Sequence, residues 1–342
     1  MPNVYVLPDQ QLIDCGPREA ILPAALRAGI PFAHACGGNA LCSTCRIVVL
    51  SGSSECRDRT GRERAIAERL SFGPEFRLAC QLRVSGNVTI RRLVLDQQDV
   101  ELADLRRPRT MAWPSGRAGL SVSRRRTRAP SGPRPIGQEL AVAVLFADIR
   151  GFTAFAEALL PYDVIHVLQR ELRDVTAIVE RHGGVVTSYM GDGVMALFGP
   201  NHPEASSLRA VRAGLAMLAQ ADARRAELEA LYGRTFDLNV GLHHGPAIVG
   251  TVWGNPASLT AIGDTVNLAS RIEQANKSLG TRFLTSEPTL VELGDDVVLG
   301  RTFRCTLPGK AGEYELYEVL AAAEPHVENG RRPKRRLRRG EL

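Results

Sequence analysis

Nowhere in its 342 residues does the chain carry the 18 or more consecutive apolar residues that a membrane helix needs, so a bilayer-spanning role is not expected. The opening residues, MPNVYVLPDQQ, lack the basic and apolar regions of a secretory leader, and a soluble cytoplasmic protein is the expectation. Aromatic residues are sparse at 5%, and internal repeats are absent. The cysteine count is odd, seven in all, which argues against a disulfide framework. Their clustering fits a metal site in a reducing compartment better.

Charge is unevenly placed. Residues 105–138 hold nine Arg and no acid, and residues 331–339 hold seven Lys or Arg and no acid. Outside those two stretches the chain has 27 basic against 37 acidic side chains, so the formal excess of +6 belongs to a linker and a tail. Neither stretch interleaves aromatics as nucleic-acid surfaces often do, and no specific nucleic-acid partner is expected. A solvated segment and a tether to a polyanion or membrane surface are the two readings of such charge.

Short apolar runs such as CRIVVL and NVTIRRLVL, separated by Gly, Ser and Pro, suggest a small sheet-rich domain over residues 1–100. Residues 101–138 read as an Arg/Pro-rich linker, 139–322 as a second domain and 323–342 as a basic disordered tail. In the second domain LAVAVLFAD is a nearly continuous apolar run, as expected of a strand buried on both faces. Val164, Leu168, Leu172, Val175 and Val179 recur at helical spacing, and Gly183-Gly184 supplies a stop. VVTSYM and VMALFG read as strands around a GDG turn, followed by a helix over about 204–229. FDLNVGLHHG and PAIVGTV read as two further strands, and a helix opens after GDT and runs through VNLASRIEQANKS. The order predicts an α+β fold with helices layered on a mostly antiparallel sheet.

Two groups of residues carry chemistry. Cys36, Cys42 and Cys45 form C-x5-C-x2-C, and Cys80 follows 35 positions later. Four thiolates supply two ligands to each iron of a [2Fe–2S] cluster. Gly37, Gly38, Ala40, Ser43 and Thr44 are small enough to let backbone N–H groups approach the sulfurs. A four-thiolate zinc site and unligated core cysteines are the alternatives, although zinc ribbons usually pair two short CxxC knuckles. Residues 3–95 resemble the β-grasp [2Fe–2S] ferredoxins, with a spacing nearer the adrenodoxin branch than the plant type. The resemblance implies a cluster on Cys36, Cys42, Cys45 and Cys80, and an electron donor to it. Cys15, Cys56 and Cys305 fall outside the pattern and read as structural.

The second group lies in VLFADIRGFTAFAE and YMGDGVMALFG, where Asp148 and Asp192 fall at strand ends. A pair of carboxylates can hold two divalent cations for phosphoryl chemistry on a nucleotide. FADIRGFT, YMGDGVMALFG, GLHHGPAIVG and AIGDTVNLASRIEQAN resemble, in order, the blocks of the class III nucleotidyl cyclase catalytic domain, whose core is βαββαβ. That resemblance implies conversion of ATP to 3′,5′-cyclic AMP at a homodimer interface. It places two Mg²⁺ or Mn²⁺ ions on Asp148, Asp192 and the Ile149 carbonyl. Gly151, Phe152 and Thr153 would shape the phosphate loop, Asn267 would orient the ribose and Arg271 would clamp the α-phosphate. Asn267 and Arg271 stand four apart on one helical face. Adjacent strand residues His243 and His244 point to opposite faces and read as structural.

Base selection departs from the family pattern. The position of its adenine-selecting Lys is Ser188, and the partner position is Thr260, a residue common among bacterial adenylyl cyclases. Near the C-terminus the phosphate-binding turn reads Leu307-Pro308-Gly309-Lys310, so Lys310 would act from a shifted position. Each departure costs about 1–3 kcal/mol on the scale of charged hydrogen bonds, which predicts a slow cyclase with relaxed base choice. The other readings are a pseudo-cyclase serving as a regulatory dimerisation module, a guanylyl or non-selective cyclase, and a ferredoxin electron carrier regulated by its cyclase half.

Overall fold

The computed structural model describes residues 2–94, 137–251 and 259–322. The expected linker, apart from its last two residues, and the expected tail lie outside the described residues.

Residues 2–94 form a five-stranded sheet of β1 (Asn3–Leu7), β2 (Gln11–Asp14), β3 (Arg46–Ser51), β4 (Phe76–Leu78) and β5 (Val88–Arg92), in the order β2-β1-β5-β3-β4. β1 and β5 run parallel and the other neighbours antiparallel. Helix α1 (Ile21–Arg27) buries Ile21, Leu22, Ala24 and Ala25 against Val4, Val6, Ile47 and Ile90. Helix α2 (Gly61–Arg69) is capped by Thr60, whose hydroxyl accepts the Glu63 N–H at 3.2 Å.

The second unit is an α+β layer on an eight-stranded sheet. Its elements run β6 (Gly137–Arg150), α3 (Phe152–Ala158), α4 (Pro161–Arg181), β7 (Val185–Met190), β8 (Gly193–Phe198) and α5 (Ser206–Tyr232). They continue as β9 (Asp237–Thr251), β10 (Leu259–Ile262), α6 (Asp264–Leu279), β11 (Phe283–Ser286), α7 (Glu287–Leu293), β12 (Val297–Cys305) and β13 (Tyr314–Ala322). The strand order is β12-β13-β11-β9-β6-β8-β7, with β10 paired to β9, and only the β9–β11 pair is parallel.

The apolar run of β6 is buried on both faces, as its sequence predicts. Ala143, Leu145, Ala147 and Ile149 pack with α3, α4 and α5, while Val142, Val144 and Phe146 meet Ala261 and Ala269 on the other side. Alternation along a strand divides the run in this way. Helix α4 opens with Pro161 in its first turn and ends at Arg181, just before the two glycines.

The sequence reading divides 236–251 into two strands, whereas β9 is continuous and pairs with β6 from Gly137↔Gly250 to Arg150↔Asp237. Pro246 fits because β11 pairing ends at Leu242 and β10 pairing begins at Ile248. On that edge residue 246 has no ladder partner to disappoint.

Helix α6 lies close against β9. A Cβ built on Gly241 would stand 2.2 Å from the Glu273 backbone nitrogen, so only glycine lets the helix approach this far. Gly241→Ala should therefore force helix and strand apart and lower stability by about 1–3 kcal/mol, the scale of core overpacking. Thermal unfolding checks this; an unchanged midpoint would contradict the packing described.

Candidate active site and cysteine centre

Strand pairing brings the two carboxylates together. Ala147↔Val194 register sets the β7–β8 turn, with Asp192, beside the end of β6. A Cβ on Gly193 would lie 2.8 Å from the Asp148 Oδ1, so glycine at 193 makes room for that carboxylate. Burial, then the charge of Asp192, pushes the Asp148 carboxyl up to about 6, against the Ile149 N–H that donates to it. Burial raises Asp192 as well. Such a pair favours a cation between or beside its oxygens, and hard oxygen donors suit Mg²⁺ or Mn²⁺. The residues present therefore fit the ions that the sequence implies.

A cavity of about 170 Å³ opens beside this pair, lined by Phe146, Asp148, Met190 and Gly193 from the sheet and by Ser270, Glu273 and Gln274 from α6. Glu273 was not singled out from sequence. It is buried, and burial followed by the charges of Asp148 and Asp192 raises its carboxyl to about 7. Its signal in the sequence was an acid two residues past Arg271, which resembles an ordinary polar helix position.

Asn267 and Arg271 do not line that cavity in their own chain. Asn267 is exposed on α6, and half-exposed Arg271 donates from Nη1 to the Gln274 Oε1 at 2.8 Å. Ser188 on β7 pairs with Met195 beside a register shift, and Thr260 on β10 pairs with Gly250. Both are half-buried, and β7 and β10 are in contact. Lys310 forms an ion pair with Asp264, the first residue of α6, so its ammonium lies at the GDT end of that helix. Gly151 caps α3; Phe152 packs into the core beside Phe155 with ring centroids 6.4 Å apart, and Thr153 is exposed. His243 is buried with Nδ1 2.6 Å from the Ser286 hydroxyl, and His244 offers its backbone N–H to Thr289 at 3.0 Å. Those separate engagements match the structural role read from strand alternation.

The four expected cysteine ligands pair two and two. The Cys36 and Cys42 thiols engage each other, as do Cys45 and Cys80, with electrostatic influence between the pairs. The bond from Cys42 and the N–H groups of Leu41, Asn39 and Gly38 pull Cys36 down to about 5, while Cys42 rises. Cys80 is lowered by Cys45, by the Gln81 side chain and by the Ala40 N–H, while Cys45 rises. Soft thiolates in two facing pairs, with N–H groups aimed at the sulfurs, fit a two-iron cluster better than zinc. Cys15 and Cys56 instead bond backbone carbonyls, with Sγ 3.5 Å from the Glu19 oxygen and 3.6 Å from the Gly52 oxygen. Cys305 lies half-buried on β12.

Comparison with known proteins finds a family for each of the two regions. Residues 136–311 match the adenylate and guanylate cyclase catalytic domain, and residues 4–85 match the 2Fe-2S iron-sulfur cluster binding domain. The terminal-differentiation-specific adenylate cyclase of Dictyostelium discoideum is 32% identical over 203 residues, 56% of this chain and 9% of that protein. An adenylate cyclase of Anabaena cylindrica is 32% identical over 157 residues, 44% of this chain and 30% of that protein. The matches thus span less than a third of those relatives' lengths. Among solved structures, the guanylyl cyclase Cya2 superposes with a TM-score of 0.52 at 28% identity, covering 56% of this chain and 97% of that one. The adenylyl cyclase CyaB from P. aeruginosa gives 0.50 at 27% identity, covering 54% and 96%.

Glu273 yields a pH prediction. Its carboxyl sits above the unfolded value, so the folded state favours the proton. The stability this contributes is full below about pH 4.5 and is lost as pH rises through about 7. In the presence of a chelator, Glu273→Gln should gain stability relative to the parent chain between pH 5 and 7 and hold a constant difference above about 7.5. Paired thermal melts across that range check it; a difference independent of pH would contradict the burial described.

Proposed function

Because the chain belongs to the adenylate and guanylate cyclase catalytic family and carries a 2Fe-2S domain ahead of that region, we propose that it is an adenylate cyclase forming 3′,5′-cyclic AMP and pyrophosphate from ATP. The observation that carries the reading is Asp148, packed over Gly193 at a cavity and acted on by the charge of Asp192. Divalent cations held there would neutralise the triphosphate and acidify the ribose 3′-hydroxyl. Asp148, Asp192 and the Ile149 carbonyl would hold the ions, and Gly151, Phe152 and Thr153 would shape the turn into α3 below the phosphates. The hydroxyl gives up its proton to solvent, its oxygen bonds to the α-phosphorus, the bond to the β-phosphate bridging oxygen breaks, and pyrophosphate departs in line.

Asn267 and Arg271 do not line the cavity at Asp148 in their own chain, which supports a homodimer in which a second copy provides them. Exposed Tyr189, Met190, Ile248 and Ile262 offer apolar surface on β7, β9 and β10 for such an association. Asn267 orients the ribose, and Arg271 meets charge developing at the α-phosphate. Adenine as the base rests on Thr260 and on relatives named adenylate cyclases; Ser188 contributes a hydroxyl, not a long cationic arm. Lys310, paired with Asp264, would offer its ammonium to the phosphates from the start of α6. Cys36, Cys42, Cys45 and Cys80 would hold the cluster, which when bound would supply one-electron chemistry and so a redox signal for the cyclase half. Seven cysteines without a disulfide support a reducing, cytoplasmic compartment.

Asp148→Ala should bring turnover to background, and Arg271→Ala should lower kcat by roughly 10²–10³, the scale of losing one transition-state donor. Mixing the two inactive chains should restore activity, since a mixed dimer rebuilds one site with both groups intact. Full activity in Asp148→Ala, or no recovery on mixing, would contradict the shared metal site.

A further inference from the structure

The two halves meet at the cysteine loop. Ser43, between Cys42 and Cys45, donates its backbone N–H to the Asp163 Oδ1 at 2.8 Å and its hydroxyl to Oδ2 at 2.8 Å. Asp163 is fully buried in the first turn of α4, 120 residues away in sequence. The same hydroxyl accepts from Arg46 Nη2 at 2.7 Å, and Arg46 Nε donates to the Ser43 carbonyl at 3.0 Å. Arg46 Nη1 reaches the Leu231 carbonyl at the end of α5, and the guanidinium stacks 4.8 Å from the Tyr232 ring centroid. Beside this network Leu160 enters the apolar core of the N-terminal unit, and Arg69 donates to the Leu159 carbonyl at 2.9 Å.

The Ser43 N–H and hydroxyl both donate to Asp163, and Arg46 donates to that hydroxyl, so the network favours the ionised carboxylate. Burial raises the Asp163 carboxyl, and the Ser43 bonds and Arg46 oppose that rise. Asp163 and the thiols of Cys36 and Cys42 influence one another electrostatically, and Asp163 bonds Ser43, the residue that follows Cys42.

We propose that Asp163 is the positioning residue through which the cyclase half sets the redox poise of the cysteine centre and is in turn released by it. The inference rests on the cluster and cyclase readings above. Adding an electron to a cluster on these thiolates adds negative charge near a buried carboxylate, where the low dielectric strengthens repulsion. Asp163 therefore holds the centre toward its oxidised state. By linkage, reduction weakens the grip of Ser43 on Asp163. The loosened element begins with α3 and α4, and Gly151, which caps α3, lies three residues past Asp148. A change at the cysteine loop thus reaches the end of β6 through one short, packed segment.

The test uses the full chain with its cluster, titrated anaerobically with dithionite, a one-electron reductant, while the reduced cluster's EPR signal is followed. Asp163→Asn keeps the shape and removes the charge, and should raise the midpoint so that reduced cluster is favoured by at least about tenfold, or about 59 mV for one electron. A smaller or downward shift overturns the inference and leaves both underlying readings standing. Should that variant fail to fold, the parent chain still decides. Hydrogen exchange at residues 159–163 should quicken on reduction; equal exchange in both states overturns the coupling. A chain that never shows a two-iron spectrum overturns this inference and the cluster reading together, whatever its cyclase activity.

Discussion

The close approach of Asp148 and Asp192 depends on one antiparallel ladder, and the ladder depends on β6 being buried on both faces. Fourteen residues of β6 register against β9 without a break, which fixes where Asp148 ends up to within one side chain. β8 on the other side brings the hairpin turn alongside, and the absence of a Cβ at Gly193 lets the two acids share the space. Like charges in a partly desolvated place are unfavourable, as the raised Asp148 carboxyl records. The same feature that costs the fold stability is what would bind divalent cations. Glu273 joins the conflict from α6, and Gly241 permits the helix to stand close enough for it to do so.

The cysteine centre follows the same logic with softer donors. Its loop places three thiols and the segment after β4 adds Cys80, in two pairs, and N–H groups from residues 38–41 reach Cys36 and Cys80. The loop is also the surface on which the cyclase half rests. Leu160 plugs an apolar core that belongs otherwise to residues 2–94, and Ser43 and Arg46 complete a polar network around Asp163. Function in the two halves thus shares a boundary made of a few side chains.

Much of this was legible before the fold. The apolar run ending at Asp148, the GD turn at Asp192 and the C-x5-C-x2-C spacing are local patterns, and local patterns survive in a one-dimensional reading. Continuity of β9 was not legible, because Pro246 normally interrupts a strand, and its tolerance depends on which neighbours end where. Glu273 looked like one more polar residue of a solvated helix face, since its burial comes from contact with β9. The Ser43–Asp163 contact was beyond reach, for nothing in either segment marks a partner 120 residues away. Lys310 was placed near phosphates by motif position, whereas its folded partner is Asp264.

The most direct test of the central claim is anaerobic turnover of the purified, cluster-bearing chain with ATP and with GTP, each with Mg²⁺ or Mn²⁺, products being resolved by chromatography. The account predicts 3′,5′-cyclic AMP from ATP, dependent on the added metal and slowed by the short Ser188 side chain. Folded, dimeric protein that gives no cyclic product in any combination would contradict it, and would make the second half a regulatory module.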